Sequence, residues 1–144
     1  TMSVFTINST LLADCYYLGH LPATELLLHR NGSVPWFILV PDTELQDILD
    51  LPSEHRSAVM ADCATISSFI KQVLGLEKVN FAGLGNVVPD MHLHIVGRRE
   101  GDDCWPQPVW GNLEGVESYT AEQLEEWQLA LQRMLNLRPV KLEG

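Results

Sequence analysis

Apolar residues fall into short blocks before residue 42 and into longer periodic runs after residue 52. The segments Tyr16 to Gly19, Glu25 to His29 and Pro35 to Pro41 are rich in Leu, Val, Ile and aromatics and are separated by Gly19, Pro22 and Asn31-Gly32, which predicts three consecutive strands. Asn31-Gly32 tolerates positive φ at both positions, so the second and third strands are expected to form a hairpin. A short helix is predicted around Glu44 to Asp50. After it, Val59, Cys63, Ile66, Ile70 and Val73 recur at helical spacing, predicting an amphipathic helix that Ser53 caps, that Glu54 favours in its first turn and that ends at Gly75. The stripe reads as a core face and Cys63 within it as an inert buried thiol.

Lys78 to Ala82 and Met91 to Arg98 are two further predicted strands, joined through Gly83-Leu84-Gly85-Asn86 and Pro89. Arg99 to Glu117, with Pro106, Pro108, Trp105 and Trp110, reads as irregular. A closing helix opens with a Thr120-x-x-Gln123 capping box and places Leu124, Trp127, Leu131 and Met134 on one face. Strands, helix, strands, helix without βαβ alternation predict an α+β fold: an antiparallel sheet of about five strands, one long helix packed on it and a C-terminal helix. One domain is expected over residues 1–144, without internal repeats, low-complexity tracts or linkers.

Composition narrows the function classes. Nine Lys and Arg against nineteen Asp and Glu give a net charge of −10, which repels nucleic acid and anionic lipid. A phosphate-bearing ligand therefore needs a local cluster of donors. Apolar runs such as Trp36 to Val40 are too short to span a membrane, and the first twenty residues hold no Lys or Arg for an export signal. Cys15, Cys63 and Cys104 form no C-x-x-C pair, which argues against a disulfide framework and a structural zinc site. The expectation is a cytoplasmic protein in a reducing compartment.

Asp90, His92 and His94 lie two apart in a predicted strand, so all three are expected on one face, with Met91, Leu93 and Ile95 turned to the core. Such a row either arranges titratable groups for a site or is solvated and idle. The Gly-containing, uncharged stretch from Asn80 to Pro89 offers backbone N–H donors beside it, and Arg98-Arg99 adds positive charge. Imidazole next to backbone donors and local positive charge suits a phosphate site.

The run NFAGLGNVVPDMHLHIVGR, Asn80 to Arg98, resembles the signature of the histidine triad family of nucleotidyl hydrolases and transferases, His-φ-His-φ-His-φ-φ with φ apolar. Gly85-Asn86 and the CWPQPVWG tail, Cys104 to Gly111, resemble a bacterial, diadenosine tetraphosphate hydrolase-like branch of it. The resemblance implies an antiparallel α+β homodimer that binds a nucleotide and acts at its α-phosphate, without a cofactor. By position it makes His92 the nucleophile that forms a nucleotidyl-imidazole, and His94 the histidine that binds phosphate oxygens and orients the site. Asn80, Gly85 and Asn86 match positions that shape the nucleophile's surroundings and the phosphate site, Asn31 falls near the ribose-binding position, and Asp90 and Arg98 complete the expected nucleotide-binding set.

Elementary chemistry agrees with the role given to His92: a neutral imidazole with one ring N–H anchored turns its other nitrogen's lone pair outward. Two positions depart from the family pattern. Asp90 stands where the first triad histidine, or Gln in the bacterial branch, is usual, and Val87 stands where many members carry a Ser or Thr hydroxyl. Both changes point to weaker turnover. Two alternatives stay open on the residues alone: a nucleotide-binding protein without catalysis, and a metal-binding module using Asp90, His92 and His94 as two histidines and a carboxylate. Trp105 and Trp110 read as packing residues more than ligand contacts, His20, His29 and His55 have no identifiable partner, and Asn31 is equally suited to serve its turn.

Overall fold

The computed structural model describes residues 5–143. Its elements in chain order are α1 (Ser9–Asp14), β1 (Cys15–His20), β2 (Thr24–His29), β3 (Trp36–Pro41), a single 3-10 turn (Ile48–Asp50), α2 (Ser53–Gln72), β4 (Lys78–Ala82), β5 (Leu93–Arg98), α3 (Ala121–Leu135) and β6 (Arg138–Pro139). The strands form one antiparallel sheet in the order β4-β5-β3-β2-β1-β6. This is the expected α+β architecture with two additions, the short α1 and the two-residue edge strand β6.

Strand alternation divides the sheet between two cores. Phe37 and Leu39 of β3, with Leu93 and Ile95 of β5, face Val59, Cys63, Ile66, Phe69 and Ile70 of α2 and Leu124 and Leu131 of α3. Trp36, Ile38 and Val40 of β3, with Val96 of β5, face the other way, against Leu11 of α1, Cys15 and Val109. Both faces of β3 and β5 are thus buried; β3 accordingly reads as an unbroken apolar run, whereas β5 carries the buried polar side chains His94 and Arg98 among its apolar residues. His94, opposite Ile38, belongs to the second face, away from α2.

Several sequence expectations are corrected in detail. Pro52, not Ser53, occupies the N-cap of α2, and no side chain caps it. The helix stripe holds at Val59, Cys63, Ile66 and Ile70, but the helix ends at Gln72 and Val73 is 40% exposed. Gly75, at φ +74, provides the left-handed turn beyond it. Burial pushes the Cys63 thiol up to about 12, with Asp62 adding to the shift, as suits an inert thiol. Asp62 is itself buried on α2 because its carboxylate accepts from Ala23 N and Thr24 Oγ1, pinning the helix to the β1–β2 turn. The Thr120–Gln123 capping box forms in both directions, whereas Met134 is 61% exposed because α3 buries only Leu124 and Leu131 fully against the sheet. The predicted helix at Glu44 to Asp50 shrinks to the 3-10 turn. The β2–β3 pair forms, but through a connection over residues 30–35 in which neither Asn31 nor Gly32 has positive φ.

Candidate active site

The last ladder pair of β5 joins Leu93 to Leu39, so residues 90–92 lie just beyond the sheet. His94 pairs opposite Ile38 on the second face, and the His92 ring stands beside it with centroids 4.9 Å apart. Asp90 does not continue the row. Outside the ladder, strand alternation no longer governs it: its carboxylate accepts from Asn8 Nδ2 at 3.4 Å, and its backbone carbonyl turns to the imidazole of His92.

That carbonyl sets the chemistry of His92. The Nδ1···O distance is 2.7 Å, and because a carbonyl only accepts, Nδ1 carries the hydrogen and Nε2 carries the lone pair. His94 has the opposite tautomer. Trp36 Nε1 donates to its Nδ1 at 3.0 Å, so the hydrogen of neutral His94 is on Nε2. Burial, followed by the nearby His92 and His29, pushes the His94 pKa down to about 4, so at neutral pH His94 is a neutral donor. His92 is 8% exposed and His94 6%, so the pair is buried and not a solvated row. One histidine presents a lone pair and its neighbour an N–H.

Around this pair the second face of the sheet opens into a cavity of about 570 Å³. Trp36, Ile38, Leu11 and Val88 supply apolar walls, and Gly85 and Asn86 of the β4–β5 loop form a rim. Gly85 has φ +77, and a Cβ there would lie 3.3 Å from Val88 O, so a larger residue would strain the loop. Trp110 meets His94 edge-on at 5.2 Å and Trp36 at 5.7 Å, making it a wall of the site rather than a remote packing residue. His29 stacks on Trp36 with centroids 4.4 Å apart and accepts from Asn31 N, and burial lowers its pKa. Sequence reading missed the placement of Trp36 and His29. The one available signal was that Trp36 and Ile38 share a strand face, which leaves their partner strand unspecified.

Of the residues expected at the site, the structure brings together His92, His94, Gly85 and Asn86. It does not bring Asn31, Asn80 or Arg98 to that cavity. Asn31 Oδ1 accepts from Ser33 N, Ser33 Oγ and Glu117 N, and its Nδ2 donates to Gly115 O, which ties the long loop to the β2–β3 connection. Arg98 is 1% exposed and forms a two-pronged pair with Asp102 at 2.8 and 3.0 Å, while its Nη1 donates to Asn80 Oδ1 at 3.0 Å. Its charge is therefore spent inside the fold. Burial would raise the Asp102 pKa, but the bonds from Arg98 and from the Arg99 and Cys104 amides outweigh it and hold the carboxyl down at about 2. Among the described residues no three His, Cys, Asp or Glu side chains are placed to hold a metal ion, so the metal alternative finds no support in the arrangement of Asp90, His92 and His94. No helix among them is long and apolar enough to cross a membrane.

Comparison with known proteins gives this arrangement its context. A HIT-domain family model matches residues 13–101. Crystal structures of histidine triad proteins from Marinobacter aquaeolei (35% identity, 93% of this chain and 98% of that one, TM-score 0.84) and Bradyrhizobium japonicum (32% identity, 91% and 98%, TM-score 0.84) align with it. One from Sinorhizobium meliloti is similar to it at 29% identity, 92% and 98% coverage and TM-score 0.85. No protein of curated function matches the chain. The paired histidines at the head of β5, set in a sheet shared almost end to end with these proteins, place the chain in the histidine triad family.

Proposed function

We propose that the chain binds a nucleotide derivative in the cavity beside His92 and transfers or hydrolyses its nucleotidyl group through a nucleotidyl-histidine intermediate. The observation that carries this reading is the fixed pair of tautomers: His92 Nε2 with its lone pair free, next to the Nε2–H of His94. The apolar cavity walls suit a nucleoside, and Gly85 and Asn86 border the place where its α-phosphate would lie. His92 Nε2 attacks the α-phosphorus and forms the P–N bond. The bond to the leaving group breaks with its electron pair, and the departing group takes a proton from water. Charge on the resulting imidazolium is met by the Asp90 carbonyl at Nδ1–H, while His94 Nε2–H donates to a phosphate oxygen. Water then attacks phosphorus, gives up a proton and returns His92 to its neutral form.

The leaving group in this reading is a nucleoside polyphosphate, as from diadenosine tetraphosphate, or an amine, as from a nucleoside phosphoramidate. The same reading includes a homodimer, for which edge strand β4 and the exposed Phe81 and Leu84 offer a surface. It tests directly: mass spectrometry of intact protein quenched without acid after mixing with either substrate should show a nucleotidyl adduct or released nucleotide in wild type and neither with His92→Ala. Unchanged turnover in His92→Ala would overturn the reading, and binding without turnover in wild type would favour a non-catalytic nucleotide binder. Native spectra of the same sample read the dimer.

A further inference from the structure

The cavity beside His92 is not apolar throughout. The residues it takes from beyond β3, seen from β5, are polar again: Thr10 and Asp14 of α1 and His29 of β2. A second cavity of about 490 Å³, lined by Asp47, Asp50 and Asp90 among others, shares His92 with the first but holds none of these three groups.

The hydrogen-bonding sense of the polar end is fixed. Asn31 N donates to His29 Nδ1 at 3.1 Å, so the hydrogen of neutral His29 is on Nε2. Burial lowers the His29 pKa more than the Asp14 carboxylate raises it, so the ring is a neutral donor at pH 7. Stacking on Trp36, with centroids 4.4 Å apart, holds the ring plane. The ring is half-buried and its Nε2 has no hydrogen-bond partner among the described residues, which leaves this N–H open to the cavity. Asp14 supplies the opposite sense, since a carboxylate only accepts. Cys15, the next residue, pairs with His29 across β1 and β2 and so sets Asp14 beside the histidine. Asp14 has no ion pair among the described residues, and no Lys or Arg lines the cavity. Arg30 is turned elsewhere, 4.3 Å from the Tyr16 ring centroid with its Nε donating to Ala13 O.

Resting on the nucleotidyl-transfer reading above, we infer that Asp14 and His29 make this cavity select guanine among the nucleobases. With the α-phosphate at His92, ribose and base run past His94 and Trp36 toward His29, along rings that follow one another at 4.9, 5.8 and 4.4 Å. The Watson–Crick edge of the base then meets a donor next to an acceptor-only group. Guanine matches both at once: O6 accepts from His29 Nε2–H, while N1–H and the 2-amino group donate to the two oxygens of Asp14. Hypoxanthine keeps O6 and N1–H but lacks the amino group. Adenine in the same placement turns the lone pair of N1 toward the carboxylate, and uracil turns that of O2. Thr10, one helical turn before Asp14, can present its hydroxyl in either sense and does not discriminate.

The test measures, by calorimetry, the dissociation constants of guanosine, inosine, adenosine and uridine 5′-monophosphates in wild type and in Asp14→Asn. Asp14 is exposed, so the isosteric amide leaves the fold intact. The expected order of affinity is guanosine, then inosine, then adenosine and uridine, with guanosine about tenfold tighter than adenosine. Asp14→Asn should bring guanosine and adenosine to within about threefold of each other. The 2′-deoxy monophosphates should keep the wild-type preference, because the base and not the ribose is read. In turnover, diguanosine tetraphosphate should exceed diadenosine tetraphosphate in kcat/KM. Adenosine bound as tightly as guanosine, or an Asp14→Asn protein that weakens both by the same factor, would overturn the inference and leave the nucleotidyl-transfer reading to the His92→Ala comparison. A protein that binds none of the monophosphates and forms no adduct with either dinucleotide would overturn both.

Discussion

At the scale of single residues, the site depends on which ring nitrogen carries a hydrogen. His92 receives its answer from a backbone carbonyl, so the anchor persists whatever side chain occupies position 90. The departure at Asp90 therefore leaves the orientation of the His92 ring, the proposed nucleophile, intact and changes the charge of the neighbouring cavity instead. His94 receives its answer from Trp36 Nε1–H, a contact across 58 positions of sequence. Trp36→Phe keeps an aromatic ring against His29 but removes that donor, which frees His94 Nδ1. In 15N-detected NMR, His94 in this variant should lose its fixed Nε2–H tautomer, while burial and the neighbouring His92 and His29 still hold its pKa below the ordinary value. Turnover should fall by roughly tenfold or more, since a histidine in the wrong tautomer cannot donate to phosphate. An unchanged His94 tautomer would show that Trp36 serves only as packing. His92 and His94 were legible as a pair from their spacing. Trp36 and His29 were not, because nothing local marks a strand tryptophan as a partner for a histidine in a strand formed so much later in the chain.

At the scale of elements, β5 joins two different tasks. Its head presents the histidines, and its tail anchors the irregular segment after residue 98 through Arg98, Asp102 and Asn80 of neighbouring β4. The guanidinium also lies 5.5 Å from the Trp105 ring centroid, so one buried side chain organises the start of the loop that carries Trp110 into the site. Arg98→Ala would leave the Asp102 carboxylate, 3% exposed, without its counter-ion, and the expected loss is about 3–5 kcal/mol of unfolding free energy in urea or guanidinium titrations. A loss below about 1 kcal/mol would show that water reaches Asp102 and replaces the pair. The sequence left Arg98 equally suited to meet a phosphate or to pair with a carboxylate, because charge along the chain says where a cation begins but not which way its long side chain turns. The capping box of α3 and most of the α2 stripe, by contrast, were readable: their partners lie within one or two helical turns, so adjacent residues carry the whole signal.

At the scale of the molecule, burying uncharged His94 couples the site to folding. Its folded-state pKa of about 4 lies below the ordinary 6.5, so between those values the unfolded chain holds a proton that the folded chain refuses. Stability from this group is present above pH 6.5, falls as the pH drops from 6.5 to 4, and changes no further below 4. Urea unfolding at pH 7, 5.5 and 4 should show a decline that is smaller in His94→Gln, and identical pH slopes in the two proteins would refute the coupling. The amino-acid sequence by itself determined the class of fold, the antiparallel strands with one long and one C-terminal helix, because hydrophobic period, turn residues and capping boxes act between near neighbours. It also pointed to His92 and His94 as a pair through their i, i+2 spacing, although the same spacing did not hold Asp90 in the row, because the ladder stops at Leu93. Only the tertiary structure decided that β3 lies beside β5, that Trp36 meets His94, that Arg98 turns inward to Asp102, and that Asp47, Asp50 and Asp90 line one cavity. Three of those contacts join residues far apart in the chain, and although Asp102 lies only four positions beyond Arg98, their pairing depends on the burial of both side chains; pairing order and burial choose among the possibilities only once the whole sheet has formed.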